Sequence, residues 1–161
     1  MVEPIERSAD FERVLRTATR ARSVHFAAHH LGEPPSIPAR AMKSALAAKL
    51  STTDLLSGQP PVDDSAGLVP ATPLQRRWFG IVVPKRHARR SVTRSLLKRQ
   101  IRAAVARRGD ALPPGLWVIR LRAPFDVAQF PSAASHALRD AAHAELEHLL
   151  THAAQARGRP R

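Results

Sequence analysis

His148 and His152 stand four residues apart, and His25 and His29 occupy one face of an extended run. A histidine pair at that first spacing on a helix can share a metal ion, but it needs a third ligand, and no HExxH pattern accompanies it. An exposed pair is the better reading. His25 and His29 are placed to approach a ligand or a phosphate. The absence of cysteine excludes disulfides, thiol nucleophiles and cysteine-based zinc sites. There is no glycine-rich phosphate loop, no Ser-His-Asp order and no pair of carboxylates in a convincing frame. No residue is therefore assigned to catalysis, and the chemistry that remains is electrostatic.

That electrostatic signal is local. The formal net charge of the chain is +13. Residues 76–108 hold Arg76, Arg77, Lys85, Arg86, Arg89, Arg90, Arg94, Lys98, Arg99, Arg102, Arg107 and Arg108, with no Asp or Glu among them, and so contribute +12 of it. A compositional bias toward Arg would spread the charge evenly. Concentration in one segment marks a footprint for a polyphosphate backbone.

Stepping from Arg90 by about 100° per residue puts Arg94, Lys98, Arg99 and Arg102 on one arc of a helix, with Ser91 and Ser95 among them. Val92, Leu96, Leu97, Ala103 and Ala104 lie opposite, Ile101 and Val105 fall at one border, and Arg107 falls on the apolar side. The pattern predicts a helix that packs one face on a sheet and offers a strip of cations on the other. A solvated Arg/Lys face is the plainer alternative, but such faces interleave Glu at i,i+4, and this one has none. Pro84, Lys85, Arg86, His87, Ala88, Arg89 and Arg90 form a basic loop leading into the helix, whose N-terminus adds positive potential. Arg side chains grip phosphate in bidentate fashion, which favours nucleic acid without separating RNA from DNA.

The elements that must position these residues follow from periodicity. A helix is expected over Ser8–Thr17, with Ser8 as its cap and Phe11, Val14, Leu15 and Ala18 on one face. Strands are expected over Ser23–His30, Trp78–Val83 and Leu116–Arg122. A closing helix should run from Phe130 to about Ala156. Residues 33–76 hold half of the chain's 14 prolines, and are expected to be a mobile insertion. Residues 157–161 are expected to be a disordered tail. The result is one α+β domain over 1–156 in the order α-β-β-α-β-α. Trp78 and Trp117 are assigned to the core. MVEPIERSAD lacks a signal-peptide apolar core and no apolar run is long enough to span a bilayer, so a soluble cytoplasmic protein without a membrane partner is expected.

In their order these residues resemble the protein component of bacterial ribonuclease P. Gly80-Ile81-Val82-Val83 and Lys85-Arg86 are followed by Arg94-Ser95-Leu96-Leu97-Lys98-Arg99-Gln100-Ile101-Arg102. Arg94, Lys98, Arg99 and Arg102 match the family's Arg-Asn-Arg-x-Lys-Arg-x-x-Arg signature. Ser95 and Leu96 replace its Asn and second Arg, and Ala103 stands where an acid is usual. Asp10-Phe11-Glu12-Arg13-Val14 resembles the family's first helix, with Leu15 in place of a second aromatic and Ala18 in place of a glycine.

The resemblance implies a two-layer α/β sandwich with a left-handed βαβ crossover, similar to a ribosomal-protein domain. It implies an RNA-binding subunit of a ribonucleoprotein endoribonuclease that matures the 5′ ends of tRNA. Ribonuclease P RNA and precursor tRNA would be its partners, with no small-molecule substrate. The RNA subunit would perform hydrolysis with Mg²⁺ that it mainly binds itself, the protein alone binding no cofactor or metal. Lys85, Arg86, Arg89, Arg90, Arg94, Ser95, Lys98, Arg99 and Arg102 would contact the catalytic RNA. A cleft containing Phe11, Leu15 and Phe26 would hold the single-stranded leader, although core packing is the competing role for both phenylalanines. The alternatives are a non-catalytic nucleic-acid-binding module, ribosome-associated or DNA-binding, and an inactive diverged relative.

Overall fold

Phe26-Ala27-Ala28 and Leu116-Trp117-Val118-Ile119 are apolar at consecutive positions, the composition of strands covered on both faces. The computed structural model describes residues 2–36 and 75–156, and in it these two runs are the paired centre of a five-stranded mixed sheet. In chain order its elements are β1 (Val2–Pro4), α1 (Ser8–Leu15), β2 (Thr19–Arg22), β3 (Phe26–Leu31), β4 (Arg77–Val82), α2 (Ser91–Arg108), β5 (Gly115–Leu121) and α3 (His136–Gln155). A short 3₁₀ turn, Gly109–Ala111, follows α2. The sheet order is β1-β4-β5-β3-β2. β1, β4 and β5 run parallel, and β3 and β2 complete the sheet antiparallel. The unit β4–α2–β5 is thus a parallel crossover, and the fold is α+β.

The six expected elements occur in the expected order, with β1 and β2 added at the two edges. Both are short and polar, VEP and TRAR, so neither shows the alternation by which a strand is read. Three boundaries also move. Ser23–His25 is the turn between β2 and β3 rather than strand, with Ser23 N–H bonded to the Phe26 carbonyl. Ser8 is the first residue of α1 and not its cap, which is Arg7. Residues 130–135 precede α3, whose start is set by Ser135: its hydroxyl accepts from the Leu138 amide at 3.1 Å. Most of the expected insertion, 37–74, and the expected tail, 157–161, lie outside the described residues.

Two apolar clusters sandwich the sheet. On one face α2 and α3 pack Leu97, Ile101, Leu138, Leu146 and Leu149 against Phe26, Ala28, Phe79, Trp117, Ile119 and Leu121. On the other, α1 places Val14 against Ile5, Trp78, Leu116 and Val118. Gly80 lets α1 approach: a Cβ there would sit 2.2 Å from the Phe11 ring. Gly115 has φ of +122°, and a Cβ there would meet the Leu31 carbonyl at 2.4 Å.

The roll of α2 differs from the expected wheel. Its buried residues are Leu97, Ile101, Ala104 and Val105, so Ile101 and Val105 sit in the buried stripe rather than at its border. Val92 is 54% exposed. Leu96, expected on the buried arc, is half-buried at the margin of the core. An Ile–Val stripe offers more apolar area to the sheet than Val92 with Ala103, and the helix turns to bury it.

α1 is fastened to the residues after β3 by a fully buried carboxylate. Asp10 accepts the Ser36 amide through both oxygens, at 3.0 and 3.2 Å, and takes Arg13 Nη1 at 2.9 Å. Arg7 donates to the carbonyl and hydroxyl of Ser36, and Arg13 also binds Glu33. Burial pushes the Asp10 carboxyl up, but the Ser36 amide and the Arg13 guanidinium outweigh it and hold it below the usual carboxylate value. Asp10→Ala is expected to cost about 1–3 kcal/mol by chemical denaturation near neutral pH. A depressed carboxyl stabilises above its unfolded pKa of about 3.9, and that contribution is lost as pH falls through the lower folded value. Denaturation curves collected through that acid window should therefore converge for the two proteins.

Candidate nucleic-acid interface

Burial of the Leu97–Ile101–Val105 stripe decides what α2 shows to solvent. Ser91, Ser95, Arg99 and Arg102 are exposed, and Lys98 is half-buried. Lys85, Arg86 and Arg89 are exposed on the preceding loop. Among the described residues, no hydrogen bond or ion pair engages the side chains of Lys85, Arg89, Lys98, Arg99 or Arg102. A groove of about 340 Å³ runs beside this face, lined by Val92, Ser95, Leu96, Arg99, Gln100 and Arg139 among others.

The remaining expected cations bond within the protein, Arg94 and Arg90 as ties between segments and Arg86 to its neighbour. Arg94 is half-buried and donates to the carbonyls of Ala88 and Arg89, at 3.0 and 2.7 Å, which folds the basic loop onto the first turn of α2. Arg90 donates to the Pro131 carbonyl at 3.0 Å, and Arg86 Nε donates to His87 Nε2 at 3.1 Å. Desolvation, then the guanidiniums of Arg86 and Arg120, push the His87 imidazole below its usual value, so it accepts in its neutral form.

Arg107, the cation on the wrong side of the wheel, is accounted for by α3. Glu147 takes Arg107 Nε at 2.8 Å and Arg108 Nε at 2.7 Å. Arg108 first, and Arg107 with it, holds the Glu147 carboxyl below its usual range. The cations of α2 therefore divide: the C-terminal pair shares the Glu147 carboxylate, and the middle of the helix meets no described acid.

The three residues expected in the cleft do not come together. Phe11 and Leu15 are half-buried against the α1-side cluster. Phe26 is 0% exposed and belongs to the opposite cluster, because it opens β3 and shares a row with Leu121. It is core. Trp78 and Trp117 are core, as expected.

Arg120 was not among the expected site residues. It lies in register between Val82 and Ala27 and, two residues beyond Val118, points to the α1 side of the sheet. Its Nε is buried without a hydrogen-bond partner among the described residues. The signal was present in LWVIRLR: a cation inside an otherwise apolar strand asks what faces it.

The histidines also separate. His25 is in the β2–β3 turn, 2.7 Å from Glu145, whereas His29 is buried against the Thr17 carbonyl on the other side of the sheet. They do not share a face. His148 and His152 stack at 4.8 Å on the exposed side of α3. Among the described residues, no group of three or more His, Asp or Glu side chains could hold a metal ion. No helix among them is long and apolar enough to cross a membrane.

Comparison with known proteins adds a family. The ribonuclease P family profile matches residues 62–153. The ribonuclease P protein component of Burkholderia pseudomallei (strain 1106a) is 39% identical over 77 residues, which span 48% of this chain and 57% of that protein. That of Bordetella parapertussis is 40% identical over 72 residues, spanning 45% of this chain and 54% of the relative. The matched region is thus little more than half the length of these relatives. Among solved structures, the Staphylococcus aureus RNase P protein superimposes with a TM-score of 0.48 and 17% identity over 92% of each chain.

The division of α2 into a buried stripe and an unengaged face predicts two different mutational outcomes. Arg99→Ala and Arg102→Ala should change stability by no more than about 0.5 kcal/mol. Leu97→Ala, in the stripe, should cost about 2–5 kcal/mol. Urea denaturation of the three variants is the check.

Proposed function

This chain belongs to the ribonuclease P protein family, and on that premise we propose that it is the RNA-binding subunit of ribonuclease P. It binds the catalytic RNA and the 5′ leader of precursor tRNA and promotes endonucleolytic maturation of the tRNA 5′ end. The observation that carries this reading is the acid-free middle of α2, where the side chains of Lys98, Arg99 and Arg102 make no hydrogen bond or ion pair with a described residue. Unpaired cations on a rigid helix attract a polyphosphate by releasing its condensed counterions, and the ordered face presents them in a fixed array. Ser95 adds a hydroxyl donor beside them. The loop carrying Lys85, Arg86 and Arg89 continues the same surface, held against α2 by Arg94.

The leader is assigned to the sheet face beyond α1, with Phe11 and Leu15 at its wall and Arg120 on its floor. Arg120 suits a phosphate there because the residue is half-buried and its buried Nε lacks a hydrogen-bond partner among the described residues. Phosphodiester hydrolysis is assigned to the RNA subunit with its Mg²⁺. What the protein supplies is affinity and orientation.

Reconstitution tests the reading. Added to ribonuclease P RNA at low Mg²⁺, the full chain should stimulate cleavage of precursor tRNA; no stimulation would overturn the assignment. Arg99→Ala should weaken binding of that RNA and reduce the slope of log K against log salt by about 1. An unchanged slope would remove the helix from the interface.

A further inference from the structure

A cavity of about 370 Å³ lies between the basic loop, the first turn of α2 and the connection from β5 to α3. Its floor is apolar and buried, formed by Ala88, Leu97, Phe125 and Leu138. Phe130 stands half-buried as one wall and meets Phe125 edge-on, with ring centroids 5.8 Å apart and planes at 80°. Phe125 is fixed from behind. The His25 ring stacks on it at 3.9 Å, and Glu145 holds His25 through the ring Nδ1 at 2.7 Å and the amide at 2.6 Å. Two further bonds join its α2 wall to the connection before α3, from Arg90 to the Pro131 carbonyl at 3.0 Å and from Thr93 Oγ1 to the Ala133 carbonyl at 2.9 Å. The slot is therefore formed before anything enters it, which lowers the ordering cost of binding.

Its rim carries charge of one sign. Arg86 and Arg89 line the cavity and are exposed, and no described carboxylate pairs with either. The nearby Asp126 accepts the Ala128 amide at 2.9 Å. α2 begins here without a side-chain cap, so its positive N-terminal potential adds to that of the arginines. An aromatic-walled apolar slot beneath a cationic mouth fits a molecule with a flat apolar part joined to an anion. A bare phosphate leaves the phenylalanines unused, and a base stacked inside a duplex cannot reach them.

We propose that this cavity receives one unstacked base of the bound RNA, with the adjoining phosphates on Arg86 and Arg89. The inference rests on the RNA-binding function above and adds a base-capturing site to it. In the full chain, adenosine 5′-monophosphate should shift the ring proton resonances of Phe125 and Phe130, and ribose 5-phosphate at equal concentration should not. Phe130→Ala should weaken binding of a short oligoadenylate about tenfold, within the range of a base–aromatic contact, and leave an abasic oligomer of equal length unaffected. If Phe130→Ala unfolds, the nucleotide comparison in the unmodified chain decides alone. Equal ring shifts from both compounds, shifts from neither, or an equal loss on both oligomers would overturn the inference. Steep salt dependence of oligoadenylate binding would leave the RNA-binding function standing in that event, and its absence would overturn both.

Discussion

Burial of Leu97, Ile101, Ala104 and Val105 fixes the roll of α2, and everything assigned to this molecule's surface depends on that roll. An isolated helix this rich in cations has little reason to form, since its like charges at i,i+4 repel. Tertiary packing against the sheet and α3 supplies what propensity and charge pairing do not. Once the stripe is buried, Ser95, Arg99 and Arg102 have nowhere to go but outward. The fold thus holds positive charge at a density that a flexible chain would disperse.

The rest of the electrostatics is arranged around that constraint. Glu147 absorbs the two arginines at the end of α2, where they face α3. Arg94 and Arg90 serve as ties, one for the basic loop and one for the connection before α3. Surface pairs of this kind contribute modestly to stability. Their effect on the surface is larger: they settle which cations are spent inside the protein and which remain for a partner.

How much of this was legible in the sequence depended on whether a signal was periodic. The basic helix could be read to within a residue, because eighteen positions of cation and aliphatic alternation admit one period. Its roll was less legible, since the wheel weighs Ala103 and Val105 alike, whereas the sheet rewards the larger residue. β1 and β2 are edge strands of polar sequence and left no pattern to find. Phe26 was placed beside Phe11 because a strand's alternation does not say which face meets which helix; β3 turns Phe26 toward α2 and α3. Arg120 and the pocket around Phe125 and Phe130 are assembled from segments far apart in the chain. Pairing across strands and a turn that brings His25 against Glu145 created them; the cation inside LWVIRLR is a local sign of the first, and the pocket has none.

The central claim is that the middle of α2 is the face that takes RNA. Arginine-specific labelling with phenylglyoxal, read by mass spectrometry with and without bound ribonuclease P RNA, tests it most directly. Arg99 and Arg102 should be protected when RNA is bound, while Arg22, exposed on the far edge strand β2, keeps its reactivity. Equal labelling of Arg99 and Arg102 in the free protein and in a complex shown to be intact would contradict the account.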